Sequence, residues 1–277
     1  MNLLTVMSQN IQYGAQEQGR LPGLYEAVRE VNPDLLLLQE VSDFEYPAIK
    51  AEASAALHME IELAPSRHIP VAVAWNPEVL TRVGLETTYS TDLHHGYCAP
   101  RFEVNTLTEP LSAPLVVIST HLTPYSADEA ACEAQLLAAR VYRHGGLGMI
   151  AGDINHPAFD DAEPDWSKVK PYNRSARCAR RTGNEPWRSN RIVGQTLRDA
   201  ELTDIAAHLA DQRGDDSLRA PTGKAGLLRV DQVHVTPALV PAIRDYRRLA
   251  SPFSDHDGVV GEFDLEAIDQ ARVFAYT

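Results

Sequence analysis

The run Leu35-Leu36-Leu37-Leu38, which leads straight into Gln39-Glu40, restricts the fold more than any other stretch of the chain. It is apolar at every position and only as long as a strand, so it reads as a buried strand that delivers a carboxylate at its end. Comparable runs rich in Leu, Val and Ile recur at Leu3 to Met7, Val71 to Trp75, Phe102 to Leu107, Leu115 to Thr120, Gly148 to Ala151, Val230 to Val235 and Val259 to Phe263. Helical patterns lie between some of them. Leu21, Leu24, Ala27, Val28 and Val31 keep the helical spacing up to Asn32-Pro33, and the Ala- and Leu-rich stretch from Ala127 to Tyr142 closes at Gly145-Gly146. A third helix is predicted from Gln195 to Ala200. The order is neither a strict strand-helix alternation nor all-β, and it predicts an α/β chain whose sheets pack together with helices outside.

No repeat, low-complexity tract or Pro- and Gly-rich linker divides the 277 residues. One domain is expected over 1–265, with an insertion at about 157–191 and a C-terminal tail over 266–277. Pro157 to Asn190 has little periodicity, and so long a loop inside a compact domain is more often functional than idle. No stretch approaches the ~18 consecutive apolar residues of a membrane helix. The first basic residue is Arg20, so a charged segment ahead of an apolar one, as in a secretory leader, is missing. Cys98, Cys132 and Cys178 are widely spaced and form no Cys-x-x-Cys, which argues against a disulfide framework and a structural zinc site. The expectation is a cytoplasmic protein with no membrane contact and no obligatory protein partner.

Four strand ends carry groups able to do chemistry. Leu3 to Met7 leads to Gln9-Asn10, Leu35 to Leu38 to Gln39-Glu40, Leu115 to Thr120 to His121, and Met149-Ile150-Ala151 to Gly152-Asp153-Ile154-Asn155. Any one of these could be a turn or a helix cap. Together they place polar groups on rigid supports, which is what a fixed catalytic geometry requires. The C-terminal part adds Arg229-Val230-Asp231 and Ser254-Asp255-His256, the makings of an Asp-His pair. Glu40, Asn10, Asp153 and Asp255 are hard oxygen donors with no cysteine among them, a set that suits Mg²⁺ or Mn²⁺, with Glu40 the foremost ligand.

These six motifs, in this order, resemble the endonuclease/exonuclease/phosphatase superfamily over nearly the whole chain. The resemblance implies a four-layer α/β/β/α sandwich of two packed mixed β-sheets with outer helices, and a site at the rim where strands of both sheets end. It implies that Asp153 orients or deprotonates the attacking water and that Asn155 holds this water or a phosphate oxygen. His256, oriented by Asp231, would act as base or as phosphate contact. His121 would bind the phosphate or protonate the leaving group, and next to a metal-bound phosphate it can stay protonated. Gln232 stands where the family commonly has an aromatic, Ile154 where it often has Phe, and Asp257-Gly258 replaces the usual residues after the final His. None of these departures removes a catalytic group.

The other histidines carry less. His94 and His95 are adjacent, and neighbours on an extended chain point opposite ways, so shared ligation of one metal is not expected. His156 could line the rim. Arg101, at the head of its strand, is a candidate phosphate contact or a plain surface residue.

The formal charge of −13 would by itself discourage a nucleic-acid partner. The charge is unevenly placed, however. Between Lys168 and Arg191 lie eight basic residues and one acid, Glu185, together with Tyr172 and Trp187, and Trp166 stands just upstream. Cations interleaved with rings are the composition of a nucleic-acid surface, with Arg177, Arg180 and Arg181 as substrate contacts. The competing explanation is a solvated loop paired with the acidic remainder. The activity expected is Mg²⁺-dependent phosphodiester hydrolysis by a nuclease or DNA-end processing enzyme. The alternative is a phosphatase for a small metabolite or lipid headgroup.

Overall fold

The structure is a computed structural model that describes residues 2–224 and 227–274. Its first half runs β1 (Leu3–Asn10), α1 (Leu21–Val31), β2 (Leu35–Gln39), α2 (Pro47–Leu57), β3 (Glu60–Leu63), β4 (Val71–Trp75), β5 (Leu80–Glu86), β6 (Tyr97–Val104) and β7 (Leu115–His121). Then come α3 (Ala127–Tyr142), β8 (Gly148–Asp153), α4 (Pro171–Arg177), α5 (Ile192–Asp199), β9 (Thr203–Asp204) and α6 (Ile205–Arg213). β10 (Asp231–Val235), β11 (Ile243–Leu249) and β12 (Gly258–Asp264) complete it. The strands form two six-stranded sheets, ordered β11-β12-β1-β2-β4-β3 and β5-β6-β7-β8-β10-β9. β1 with β2 and β7 with β8 are parallel, while the other neighbours are antiparallel, so both sheets are mixed.

The unbroken Leu run now has its reason. Leu35 and Leu37 face the second sheet and join Val6, Val73, Val117, Met149 and Val233 in the central core. Leu36 and Leu38 face the other way, onto Leu24 and Val28 of α1 and Ala53 of α2. Across the sandwich Val116, Ile118 and Ile150 turn outward onto Ala130, Ala134 and Leu137 of α3 and Val193 and Leu197 of α5. Period-2 alternation thus splits each central strand between two buried layers, and helix on sheet on sheet on helix follows. α3 is started by Ser126, whose hydroxyl accepts the Glu129 N–H at 3.2 Å.

Gly152 is fixed by close approach. Its φ is +149°, and a Cβ there would run into the Thr120 carbonyl oxygen, so β8 can lie against β7 at the motif only as glycine. The stretch over 266–277, expected as a tail, is packed where it is described, as is Leu265 just before it. Leu265 and Ile268 enter the central core, the Phe274 N–H donates to Gly145 O at 2.9 Å, and its ring stacks on Tyr142. Residues 275–277 of that tail lie outside the described residues.

The segment over 157–191, expected as an insertion, is also folded. α4 leads to an antiparallel bridge between Cys178 and Ser189, and Trp166, Val169, Cys178, Leu228 and Val230 form a small core beneath it. Trp166 is 4% exposed and donates to Glu163 Oε2 at 3.0 Å, so it supports the arm from below and offers no face to a base.

Candidate active site

Strand register assembles the site. β7, β8 and β10 place His121, Asp153 and Asp231 side by side on one rung, because His121 pairs with Asp153 and Asp153 with Asp231. In the facing sheet Asn10 pairs with Gln39, and the chain turns at Glu40 with φ +62°. The His256 loop enters just before β12. It is tied to the end of β1 by Ser254, whose hydroxyl donates to Asn10 O at 2.8 Å and accepts the His256 N–H at 3.1 Å. Gln39 Nε2 donates to Ser119 Oγ at 3.2 Å, and Ser119 Oγ to Leu38 O at 3.1 Å, so the two sheets are locked together directly under the site. Gln12, Tyr13, Ala15, Glu40 and Asn155 all have left-handed φ at this rim. Strain of this kind costs about 1 kcal/mol or more per residue and collects where geometry is functionally fixed.

Asn10 Nδ2 donates to Glu40 Oε1 and to Asp153 Oδ2, each at 3.1 Å, and its Oδ1 accepts the Gln12 N–H at 2.9 Å. As oriented, Asn10 bridges the two carboxylates through nitrogen instead of offering its oxygen. Asp153 Oδ1 accepts the Asn155 N–H at 2.9 Å. His256 Nδ1 lies 2.9 Å from Asp231 Oδ2, and its Nε2 lies 3.7 Å from Asp153 Oδ2. Burial works against charge on His256, but Asp231 and then Asp153 outweigh it and push the ring up to about 10, which favours its charged form. Burial raises Glu40 and Asp153 above the ordinary carboxylate range. His121 Nε2 lies 3.5 Å from Asp153 Oδ2. Burial, then the charge on His256, lowers His121 to about 3, which favours the neutral ring.

Among the described residues, Asp153, Asp231 and His256 form the group of ligand atoms close enough to share an ion. Glu40 lies on the more open side, joined to Asp153 through Asn10. Carboxylates held above their usual pKa and offering hard oxygens fit a divalent cation such as Mg²⁺, which prefers one or two carboxylates and keeps several waters. Asp255 stands at the edge, where its charge reaches both His256 and Tyr13.

The basic residues separate. Arg177 is 8% exposed and turned inward, with Nη2 donating to Asn155 Oδ1 at 2.8 Å and Nε to Asn155 O at 2.5 Å. Asn155 Nδ2 donates to Leu122 O at 3.0 Å, so this side chain is anchored at both ends. Arg180 is almost fully exposed, 3.7 Å from Asp128. Arg181 stacks on Trp187 at 3.7 Å and donates to Glu185 O at 2.7 Å. Arg101 is not brought to the rim. It pairs with Val116, well down β7 from His121, and its Nη1 meets His144 Nδ1 at 2.8 Å.

The His94-His95 expectation is corrected in geometry. The chain bends after Ser90–Asp92, the two rings lie 4.4 Å apart edge to face, and His95 stacks on His121 at 3.9 Å. His156 is fully buried beneath the rim, its Nε2 2.9 Å from Thr123 O. Gln232, the departure from the family's aromatic, serves a polar network: Nε2 donates to His156 O and Arg229 O at 3.0 Å each, leaving Oε1 to accept from His234 Nε2 at 2.9 Å.

Burial lowers His156 from 6.5 to about 4. The unfolded chain then binds a proton that the folded one refuses, so the stability His156 contributes is complete above pH 6.5 and is lost as pH falls toward 4. Between pH 7.5 and 5 the advantage of wild type over His156→Gln in urea unfolding is expected to shrink by about 2 kcal/mol. A difference independent of pH would show that His156 is not held neutral.

The profile of the Endonuclease/Exonuclease/phosphatase family matches residues 7–256. Among curated proteins no sequence match is found. Solved structures are similar over almost the full length. A humanized D. rerio TDP2 superposes with TM-score 0.63 at 14% identity, covering 95% of this chain and 99% of that one. The human Nocturnin catalytic domain, with bound sulfate, gives 0.63 at 16% identity over 95% and 94%. The 3′ phosphatase NExo from Neisseria, bound to a product DNA hairpin, gives 0.61 at 18% identity over 94% and 99%. At such identities the likeness establishes a common fold.

Proposed function

Because the chain belongs to the endonuclease/exonuclease/phosphatase family, whose members are divalent-metal-dependent phosphoesterases, we propose that it hydrolyses phosphodiester bonds of nucleic acid, as a nuclease or DNA-end processing enzyme using Mg²⁺ or Mn²⁺. The observation that carries this reading is the single rung of His121, Asp153 and Asp231, faced by Glu40 and closed by His256. Three unpaired cysteines fit a reducing, cytoplasmic compartment. Among the described residues no helix is long and apolar enough to cross a membrane.

Held by Glu40 and Asp153, the cation would polarise phosphorus and offset charge developing on the phosphate oxygens. Asp153, fixed by Asn10 and the Asn155 N–H, takes the proton of the attacking water as the new P–O bond forms. His256 is kept charged by Asp231, contacts a phosphate oxygen through Nε2–H and is placed to protonate the leaving oxygen as the ester bond breaks. His121, neutral, hydrogen-bonds a phosphate oxygen. Arg177 positions Asn155, and Arg180 and Arg181 meet the polynucleotide backbone.

Glu40→Gln keeps the shape and removes the charge. It is expected to raise the Mg²⁺ concentration for half-maximal cleavage of an oligonucleotide at least about tenfold. An unchanged metal titration would take Glu40 out of the ligand set. The arm divides in the same assay. Arg180→Ser with Arg181→Ser should raise KM for polynucleotide severalfold and flatten its salt dependence, whereas Arg177→Ala should lower kcat. Equal effects from both would contradict the separate roles. Hydrolysis of a small phosphomonoester uses the same groups and is favoured by the overall charge of −13 and by the ion pair of Arg180 with Asp128. Phosphate release that is indifferent to the arm would support that second reading.

A further inference from the structure

The basic arm holds the aromatics expected to stack on bases, yet most of them are already occupied. Trp166 is buried beneath the arm, and Trp187 is covered by Arg174 at 5.3 Å and Arg181 at 3.7 Å. Tyr172 of the arm stays 62% exposed, with Lys170 Nζ 5.9 Å from its ring, and two further exposed rings stand at the mouth of the site. Tyr13 and Tyr125 are 66% and 73% exposed, so neither contributes much to the folded core. Tyr13 is also held at φ +52°, a left-handed conformation that a bulky residue adopts only when its surroundings impose it. Its N–H donates to Glu40 Oε2 at 2.8 Å, which ties its backbone to the carboxylate on the open side of the site. Its exposed ring is carried beside that carboxylate, in the loop that joins β1 to α1. Tyr125 follows β7 on the other side. It meets His94 edge to face at 5.3 Å, and His94, His95 and His121 continue as neighbouring rings down to Asp153. A residue strained in its backbone and tied by its N–H to Glu40, with its ring exposed, and a second exposed ring beyond the end of β7 in the other sheet, add little to the core, and a ligand stacked on the rings offsets that cost.

Resting on the nucleic-acid reading above, we propose that Tyr13 and Tyr125 form a stacking platform for an unpaired nucleobase beside the scissile phosphodiester. The substrate is then taken as a single strand or a splayed end, because a base inside an intact duplex has no free face to offer. Stacking of this kind is tolerant of base identity, so the platform selects for an unpaired base and not for sequence.

The test uses the whole protein in EDTA, which halts turnover, and single-stranded DNA oligonucleotides carrying 2-aminopurine stepped along the strand, with matched oligonucleotides abasic at the same positions. In wild type, 2-aminopurine at one or two positions should be quenched, and the abasic analogue there should bind about tenfold more weakly. Tyr13→Ala with Tyr125→Ala should abolish both the quenching and the preference for a base, and Tyr13→Phe with Tyr125→Phe should keep them. Wild-type binding and Mg²⁺-dependent cleavage of DNA, with the double Ala variant unchanged in quenching and base preference, would overturn the platform and leave the phosphodiesterase standing. Wild type that neither binds nor cleaves DNA would overturn both.

Discussion

Asp153→Asn is expected to lower phosphodiester turnover about a thousandfold while the protein stays folded. The carboxylate sits at the centre of the rung, 3.1 Å from Asn10 Nδ2 and 2.9 Å from the Asn155 N–H, with His256 Nε2 at 3.7 Å. An amide of the same shape can keep the bond from Asn155 but cannot accept a proton from water, and it weakens any cation held with Glu40. Removing the charge ends its burial penalty and its repulsion of Glu40 and Asp231 at the expense of its attraction for His256 and Arg177, and because burial is the largest of these the urea midpoint should hold or rise slightly. Turnover within about tenfold of wild type would remove Asp153 from the base role.

Arg229→Met is expected to cost about 3 to 5 kcal/mol of stability. The Arg229 side chain has no exposed surface, and its guanidinium donates to Asp161 Oδ1 at 2.6 Å, Asp204 Oδ2 at 2.7 Å and Asp204 Oδ1 at 3.0 Å. Asp204 also caps α6 by accepting the Ala206 N–H at 3.0 Å, and Asp161 lies in the loop that starts the arm. Methionine fills the space but leaves two carboxylates buried without a counter-charge. Adding Asp161→Asn and Asp204→Asn should recover most of the loss, because the penalty lies in the stranded charges and not in the missing guanidinium. Urea unfolding of Arg229→Met within about 1 kcal/mol of wild type would show that these carboxylates reach water.

The residues that reveal the fold in the sequence are those whose environment is uniform. Leu35–Leu38 and Leu115–Thr120 are buried on both faces, so their strands stand out without alternation. β5 and β11 escape because they are edge strands, and edges carry charge: Arg82 and Glu86 in one, Arg244, Asp245, Arg247 and Arg248 in the other. α2 escapes because only Ala53 and Leu57 of its 11 residues are buried, leaving no wide apolar stripe to read. In the site, the groups at strand ends are legible because the strand fixes where they go. Arg177 is not, since composition marks a basic segment but not which member turns inward. That is decided by its place in the last turn of α4, over Asn155. Tyr13 and Tyr125 carry a weak signal, aromatics a few residues beyond strand ends that deliver Asn10 and His121, and their meaning comes from exposure and backbone conformation.

The most direct measurement is product release from single-stranded DNA, duplex DNA and a panel of small phosphomonoesters, each with Mg²⁺ and with EDTA. Cleavage of DNA that requires Mg²⁺, and favours the single strand, is the expected result. Phosphate release from small esters with every DNA left intact, or DNA cleavage that persists in EDTA, would contradict a metal-dependent nucleic-acid phosphodiesterase.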